Sequence, residues 1–151
     1  MLGEMTAVEI EALLNSEVVA RLGCHAAGQI YVVPVTYAYR GGCLYVHTAE
    51  GRKLDMMRAK PNVCVEVDRF ENLANWQSVI AEGHVEELTD ADAMAGLRVL
   101  LDRLMPLLVG ETATPTHGLE PSQRSAATIL RIQLGERSGR YERTTSRSQE
   151  T

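Results

Sequence analysis

The sequence predicts a mainly β fold, an antiparallel barrel of about six strands with three peripheral helices. Short runs of β-branched and alternating residues recur along the chain. Ala27-Gly28 and Gly41-Gly42 separate such runs, and turns this short join strands as antiparallel hairpins. Neither GxGxxG nor GxxxxGK[ST] occurs, so the sequence lacks the motifs of the parallel nucleotide-binding folds.

The chain length fits one domain. Its 151 residues, 45% of them hydrophobic, provide enough apolar material for one core. The residues after Tyr141 contain no apolar side chain to anchor them. We therefore predict a single domain over residues 1–141 and a flexible tail over residues 142–151.

The first half of the chain predicts a helix followed by a β-meander. Thr6 and Glu9 have the spacing of a capping box, and apolar residues follow at helical intervals. Strands are predicted over 18–26, 30–39 and 43–47, with a glycine-containing turn before the second and the third. The long middle strand is rich in β-branched and aromatic residues.

The second half predicts two more helices and three more strands. A short helix over 52–59 stops at Lys60-Pro61, and a strand over 63–68 alternates valines with polar residues. A strand over 77–88 precedes a helix over 91–105, for which Thr89 is the predicted N-cap. Residues 110–127 are predicted to form a surface loop, and residues 129–134 the final strand.

Charge and composition exclude several classes of function. The net charge of −5 and the pI near 5.4 argue against nucleic-acid or membrane-surface binding, since both partners favour a basic face. No apolar run reaches membrane-spanning length, and the acidic N-terminus does not resemble an export signal, so we expect a cytoplasmic protein. The three cysteines and four histidines lack ligand spacing, and no metal site is expected.

The corner between the third predicted strand and the short helix is a candidate anion site. It places Thr48, Gly51, Arg52 and Lys53 close together in the sequence. A helix N-terminus offers unpaired N–H groups and partial positive charge, and the two cations add to both. Composition alone leaves a second interpretation equally open, in which Arg52 and Lys53 are solvated cations on a surface helix.

A resemblance to a known family favours the anion site. The shared features, in chain order, are Val33-Pro34-Val35-Thr36-Tyr37, the Gly-Gly turn, Leu44-Tyr-Val-His47-Thr48, Gly51-Arg52-Lys53, Lys60-Pro61-Asn62-Val63, Asn75-Trp76-Gln77-Ser78-Val79 and Gly83. This order resembles the pyridoxamine 5'-phosphate oxidase-like split barrels. It is most similar to their branch of small flavin-binding and nitroimidazole-resistance-type proteins. The likeness covers roughly residues 11–88 and the last strand.

The resemblance implies a six-stranded split barrel and a homodimer with FMN at its interface. By matching positions, Thr48, Arg52 and Lys53 would hold the FMN phosphate, with Gly51 at the same corner. The backbone of one strand would pass the flavin ring, and another segment would approach from a neighbouring strand or subunit. The strand that passes the flavin ring would contribute Val33, Pro34, Val35 and Thr36. The approaching segment would contribute Trp76, Gln77 and Ser78.

His47 is the candidate catalytic residue. At the end of its strand it could hydrogen-bond the flavin or donate a proton, given the near-neutral pKa of histidine. A strand-end histidine satisfied by the backbone is the alternative. No other residue is assigned a catalytic role.

The function implied is an FMN-dependent oxidoreductase. It would reduce a small-molecule substrate such as a nitro compound or quinone with electrons from a nicotinamide donor. Four alternatives stay open: a non-catalytic flavin-binding or electron-carrier protein, the same barrel with F420, the same barrel with haem, and an empty barrel used for dimerisation. Oxidation of vitamin B6 is not favoured, because Arg140-Tyr141-Glu142-Arg143 matches the substrate motif of the full oxidases poorly.

Overall fold

A computed structural model describes residues 1–108 and 127–145. The strands are β1 (Leu2–Glu4), β2 (Val19–Ala26), β3 (Gln29–Thr36), β4 (Ala38–Arg40), β5 (Cys43–Thr48), β6 (Asn62–Asn72), β7 (Asn75–Leu88) and β8 (Thr128–Glu142). The helices are α1 (Ala7–Ser16), α2 (Arg52–Ala59) and α3 (Asp90–Leu108). The predicted loop over 110–127, apart from Ala127, and the tail beyond residue 145 lie outside the described residues.

The strands form one antiparallel sheet that curls into a split barrel. Its order is β3-β2-β6-β7-β8-β5-β4, and β1 pairs with β8. β3 and β4 stand at opposite ends of this order, yet Tyr37 alone separates them in the chain. The sheet must therefore curve until its two ends meet. The predicted mainly β barrel with peripheral helices is confirmed, with eight strands where the sequence predicted about six.

The predicted single strand over 30–39 is wrong, because the chain breaks at Tyr37 into β3 and β4. Tyr37 is fully buried, and its hydroxyl donates to the carbonyl oxygen of Leu14 at 2.8 Å. Its backbone N–H donates to the carbonyl oxygen of Val18 at 2.9 Å. These contacts hold the bend at which the chain stops pairing with β2, as β3, and starts pairing with β5, as β4.

The barrel interior is filled by the alternate residues of its strands. Val63, Val65 and Val67 face inward as predicted, together with aliphatic residues of the other strands. Gly83 lies among them, and a Cβ atom there would stand 2.7 Å from Cγ2 of Ile132 and 3.0 Å from Cγ2 of Val63. These methyl groups are fixed by β-branching, so this point of the barrel has room for glycine alone.

The local predictions for turns and helices are confirmed. The capping box at Thr6 and Glu9 is present. Ala27, Gly28, Gly41 and Gly42 all have positive φ, as tight hairpin turns require. α2 has the predicted bounds, and α3 begins one residue earlier than predicted and continues to Leu108. Within the described residues, no helix is both long and apolar enough to span a membrane.

The final strand is much longer than the predicted 129–134. β8 pairs successively with β5, β7 and β1. The predicted boundary after Tyr141 falls one residue before β8 ends, and backbone hydrogen bonds between Arg143 and Met1 continue beyond it. The three residues of β1 are too few for alternation to have predicted them.

Candidate functional site

The predicted corner lies where β5 ends at Thr48 and α2 begins at Arg52. The backbone N–H of Asp55 donates to the carbonyl oxygen of Gly51 at 3.0 Å, which closes the first turn of the helix. α2 packs against β2. The corner residues therefore lie beside the β2–β3 hairpin.

Arg52 is held by two neutral groups on β3. Its guanidinium carbon lies 4.8 Å from the centroid of the Tyr31 ring. Its Nη2 atom donates to Oε1 of Gln29 at 2.8 Å. No described carboxylate lies within 4.0 Å of it. Since neither of its partners is anionic, the contacts orient the guanidinium and leave its charge unbalanced.

Lys53 is a half-buried cation next to Arg52. Burial lowers the pKa of its ammonium group. In residues 1–108 and 127–145, no carboxylate lies within 4.0 Å of its Nζ atom. The nearby thiol of Cys24 is buried, and burial raises its pKa, so the thiol stays neutral. Buried cations are ordinarily paired, so the local chemistry of Lys53 favours an anionic ligand.

Arg58, at the other end of α2, provides the contrast. Its guanidinium binds Glu50 at 2.7 Å and Glu87 at 2.6 Å. Hydrogen bonds to these carboxylates, Glu87 first, raise the pKa of Arg58 above its usual range. The cation in the last turn of the helix is thus neutralised within the protein, whereas those in the first turn have no such partner among the described residues.

Gly51 and Thr48 complete the corner. Gly51 has φ 165°, an extended conformation open to any residue, and a Cβ atom there would meet no atom of the described residues within 4 Å. Neither its conformation nor packing against the described residues requires glycine. Thr48 is buried, and its hydroxyl donates to the carbonyl oxygen of Ala49 at 3.2 Å. The corner therefore combines open space with a hydroxyl near the helix start.

His47 precedes the corner on β5 and is half-buried. Burial, and next the charge of Lys53, lower the pKa of its imidazole. At neutral pH the ring is therefore mainly uncharged, with one nitrogen as a donor and one as an acceptor. Such a ring can donate a hydrogen bond, but it is a poor source of a proton from imidazolium.

β3 is an edge strand of the sheet that the described residues form, with β2 as its one partner there. Val35 faces the core and Val33 is half-buried against it, whereas Pro34 and Thr36 are exposed on the other side. Proline suits an edge strand because it lacks an N–H to donate. No described strand pairs with the outward backbone groups of β3, and the strand begins beside Arg52.

Trp76, Gln77 and Ser78 lie at the other end of the molecule. Trp76 stacks on Phe70 with ring centroids 5.6 Å apart, and its Nε1 donates to Glu142 at 3.1 Å. β7 is 14 residues long, so its ends lie roughly 40 Å apart along the strand. The end near the corner is Leu88, which pairs with Ile129, the partner of His47. A single chain therefore does not bring these three residues to the corner.

Sequence reasoning missed Gln29, Tyr31 and Cys24, which line the corner from the β2–β3 hairpin. Tyr31 lies in the predicted strand over 30–39, where aromatic pairing across a sheet is the ordinary role, and Gln29 lies between that strand and the preceding turn. Gln29 and Arg52, which form a hydrogen bond, are 23 positions apart in the sequence. No local spacing could have indicated it.

One outer face of the sheet carries three exposed apolar side chains. Ile30, Val32 and Ile80 are 81%, 61% and 52% exposed. A depression of about 990 Å³ lies on this face, and its lining includes Ile30 and Val32 together with the charged residues Arg21 and Glu66. Exposed apolar side chains rimmed by polar ones are a feature of interaction surfaces.

The fold and the corner define the class: a split-barrel protein whose β5–α2 junction carries two cations, Arg52 and Lys53, without a carboxylate partner among the described residues. The family model described as pyridoxamine 5'-phosphate oxidase matches residues 6–141. The chain belongs to this family, as the resemblance in the sequence indicated.

Individual proteins similar to this chain include two solved structures and one curated sequence. An FAD-binding protein of Mesorhizobium loti is 33% identical, with a TM-score of 0.74 over 93% of this chain and 98% of that one. A candidate 5-nitroimidazole antibiotic resistance protein of Bacteroides thetaiotaomicron shares the fold at 21% identity, with a TM-score of 0.69 over 93% and 87% of the two chains. An uncharacterized protein of Rhizobium meliloti is 36% identical over 84 residues, which make up 56% of each chain.

Proposed function

We propose that this protein binds FMN and uses it for redox chemistry, with the FMN phosphate at the β5–α2 corner. The observation that carries the proposal is Lys53, a half-buried ammonium beside Arg52 with no carboxylate within 4.0 Å among the described residues. A phosphate dianion would supply the charge that both cations lack.

In this proposal each corner residue has a defined task. Arg52 and Lys53 donate charge-assisted hydrogen bonds to phosphate oxygens. The first N–H groups of α2 add further donors. Thr48 turns its hydroxyl from the carbonyl of Ala49 to the phosphate, and the open space at Gly51 lets an oxygen approach the backbone.

The ring system would lie along the open edge of β3. Val33, Pro34, Val35 and Thr36 would form its wall, and the outward backbone groups would hydrogen-bond its polar atoms. The edge begins at Gln29, next to Arg52, so phosphate and ring sites are continuous. His47 would donate a hydrogen bond as a neutral imidazole.

We further propose a homodimer. The exposed apolar residues Ile30, Val32 and Ile80 support a second copy packed on this face of the sheet. In such a dimer, Trp76, Gln77 and Ser78 of a second copy would reach the flavin that the first copy holds. This accounts for their position far from the corner in their own chain. Light scattering of the purified protein should give twice the chain mass.

When bound, a flavin supplies two-electron transfer from a nicotinamide donor to an acceptor such as a quinone or nitro compound. The chain itself binds and orients the flavin and shields it from water. Turnover of a nicotinamide donor and a quinone by the FMN-loaded protein tests this activity. Bound FMN without turnover would favour the non-catalytic carrier.

FAD is a second candidate ligand, because the Mesorhizobium loti relative is an FAD-binding protein. FMN and FAD both carry phosphate on the same ribityl chain, so the corner suits either. Parallel titrations with the two flavins separate them.

The test of the site is an FMN titration of the Arg52→Ala and Lys53→Ala variants. Each should weaken binding about 10- to 100-fold, because a hydrogen bond to a charged group contributes roughly 1.5–3 kcal/mol. Lys60→Ala is the matched control, since it removes one exposed cation from the end of the same helix. Equal affinities for all variants would contradict the site.

A further inference from the structure

We propose that Gln29 and Tyr31 are positioning residues, which fix the guanidinium of Arg52 at the corner without neutralising its charge. The inference rests on the proposed function. Its basis is the pair of contacts on Arg52: Oε1 of Gln29 at 2.8 Å from Nη2, and the Tyr31 ring centroid at 4.8 Å from the guanidinium carbon. Both partners project from the first residues of β3.

Fixing this side chain in advance favours binding. An arginine side chain has many rotamers, and ordering it when a ligand arrives weakens affinity. Arg52 is exposed, and among the described residues its guanidinium makes no other hydrogen bond, ion pair or cation–π contact. The Tyr31 ring restricts the position of the guanidinium carbon, and the hydrogen bond to Gln29 restricts the direction of Nη2.

The two contacts also leave the donors available. A guanidinium has five N–H donors, and Gln29 accepts from one of them. The Tyr31 ring lies under the guanidinium carbon and accepts no conventional hydrogen bond, so the donors that Gln29 does not use can reach phosphate oxygens.

The neutrality of both partners distinguishes Arg52 from Arg58. The carboxylates of Glu50 and Glu87 fix Arg58 and balance its charge. A carboxylate at position 29 would hold Arg52 at least as firmly as the amide does, but it would repel a phosphate. A glutamine at position 29 therefore fixes the geometry of Arg52 and leaves the positive charge of Arg52 available to the phosphate.

The experiment compares FMN with riboflavin, which lacks the phosphate, in fluorescence titrations of four variants. Gln29→Glu should weaken FMN binding about 10-fold, and Tyr31→Leu about 2- to 5-fold. Neither should change the affinity for riboflavin. Tyr31→Phe keeps the aromatic face and should retain wild-type FMN affinity. Glu87→Gln, which alters a partner of Arg58 instead, should bind both ligands as the wild type does.

Combination with Arg52→Ala gives a further readout. Once Arg52 is absent, Tyr31→Leu should cause no additional loss of FMN affinity, because its effect acts through the guanidinium. Additive losses would overturn the proposal. So would equal losses of FMN and riboflavin in Gln29→Glu and Tyr31→Leu, since these would indicate general damage to β3. Unchanged FMN affinity in both variants would overturn the positioning role alone, whereas a wild-type protein that binds no flavin would overturn the proposed function as well.

Discussion

The hydroxyl of Tyr37 donates a hydrogen bond to the carbonyl oxygen of Leu14 at 2.8 Å, and so connects the bend between β3 and β4 to helix α1. The side chain is fully buried, and burial raises the pKa of the phenol. This one residue directs the chain from one end of the sheet order to the other. It is therefore a point where the closure of the barrel can be tested.

Tyr37→Phe should lower the free energy of unfolding by about 1–2 kcal/mol, because it removes the bond and leaves the carbonyl of Leu14 unsatisfied. Urea denaturation measures this change. Tyr39→Phe is the matched control. The Tyr39 hydroxyl donates to Glu11 and accepts from Arg137, but both partners are partly exposed and bind each other, so water and that ion pair can replace the lost hydroxyl and the effect should be smaller. A larger loss in Tyr39→Phe would contradict the role assigned to Tyr37.

Gly83→Ala should destabilise the barrel by about 1–3 kcal/mol, as expected for overpacking. The added methyl group would meet Ile132 and Val63 at 2.7 and 3.0 Å, and β-branched side chains cannot rotate away from it. Gly51→Ala, where no described atom lies within 4 Å of the added methyl group, should lower the unfolding free energy less, by no more than the N-cap preference for glycine. Thermal denaturation of the two variants checks both statements, and equal melting temperatures would refute the packing explanation.

Lys53→Met should stabilise the ligand-free protein by about 0.5–1 kcal/mol while weakening FMN binding. A half-buried cation without a described anionic partner lowers the stability of the ligand-free fold but strengthens the binding of an anion. An apolar side chain at the same position raises the stability and weakens the binding. Denaturation with and without FMN provides the measurement. FMN should raise the melting temperature of the wild type and raise that of Lys53→Met far less. Lower stability of the ligand-free variant would contradict the prediction.

The histidine at position 47 should make the fold less stable in mild acid. Burial lowers its pKa in the folded state, so below about pH 6.5 the unfolded chain takes up a proton that the folded chain resists. Stability is therefore lost as the pH falls from that value towards the lowered pKa. His47→Gln should flatten the decline in melting temperature between about pH 7.5 and 5.5. Glu66, whose pKa is raised by burial, is present in both proteins and cancels in the comparison. Parallel pH profiles would refute the role of His47.

The sequence was sufficient wherever the determining interactions are local. The capping box at Thr6, the positive φ angles of the two hairpin turns and the inward valines of β6 follow from preferences that act within a few residues. The corner was predictable for the same reason, because Thr48, Gly51, Arg52 and Lys53 all lie within six consecutive positions of the sequence, 48–53. The family followed from the order of such local motifs.

Tertiary structure alone decided the rest. Four features depend on how distant strands meet. They are the break at Tyr37, the separation of Trp76 from the corner, the neutral contacts of Gln29 and Tyr31 with Arg52, and the lack of a described carboxylate near Lys53. Strand register and sheet curvature determine which of these distant residues come into contact. Both arise from packing of the whole barrel, so no window of sequence contains them.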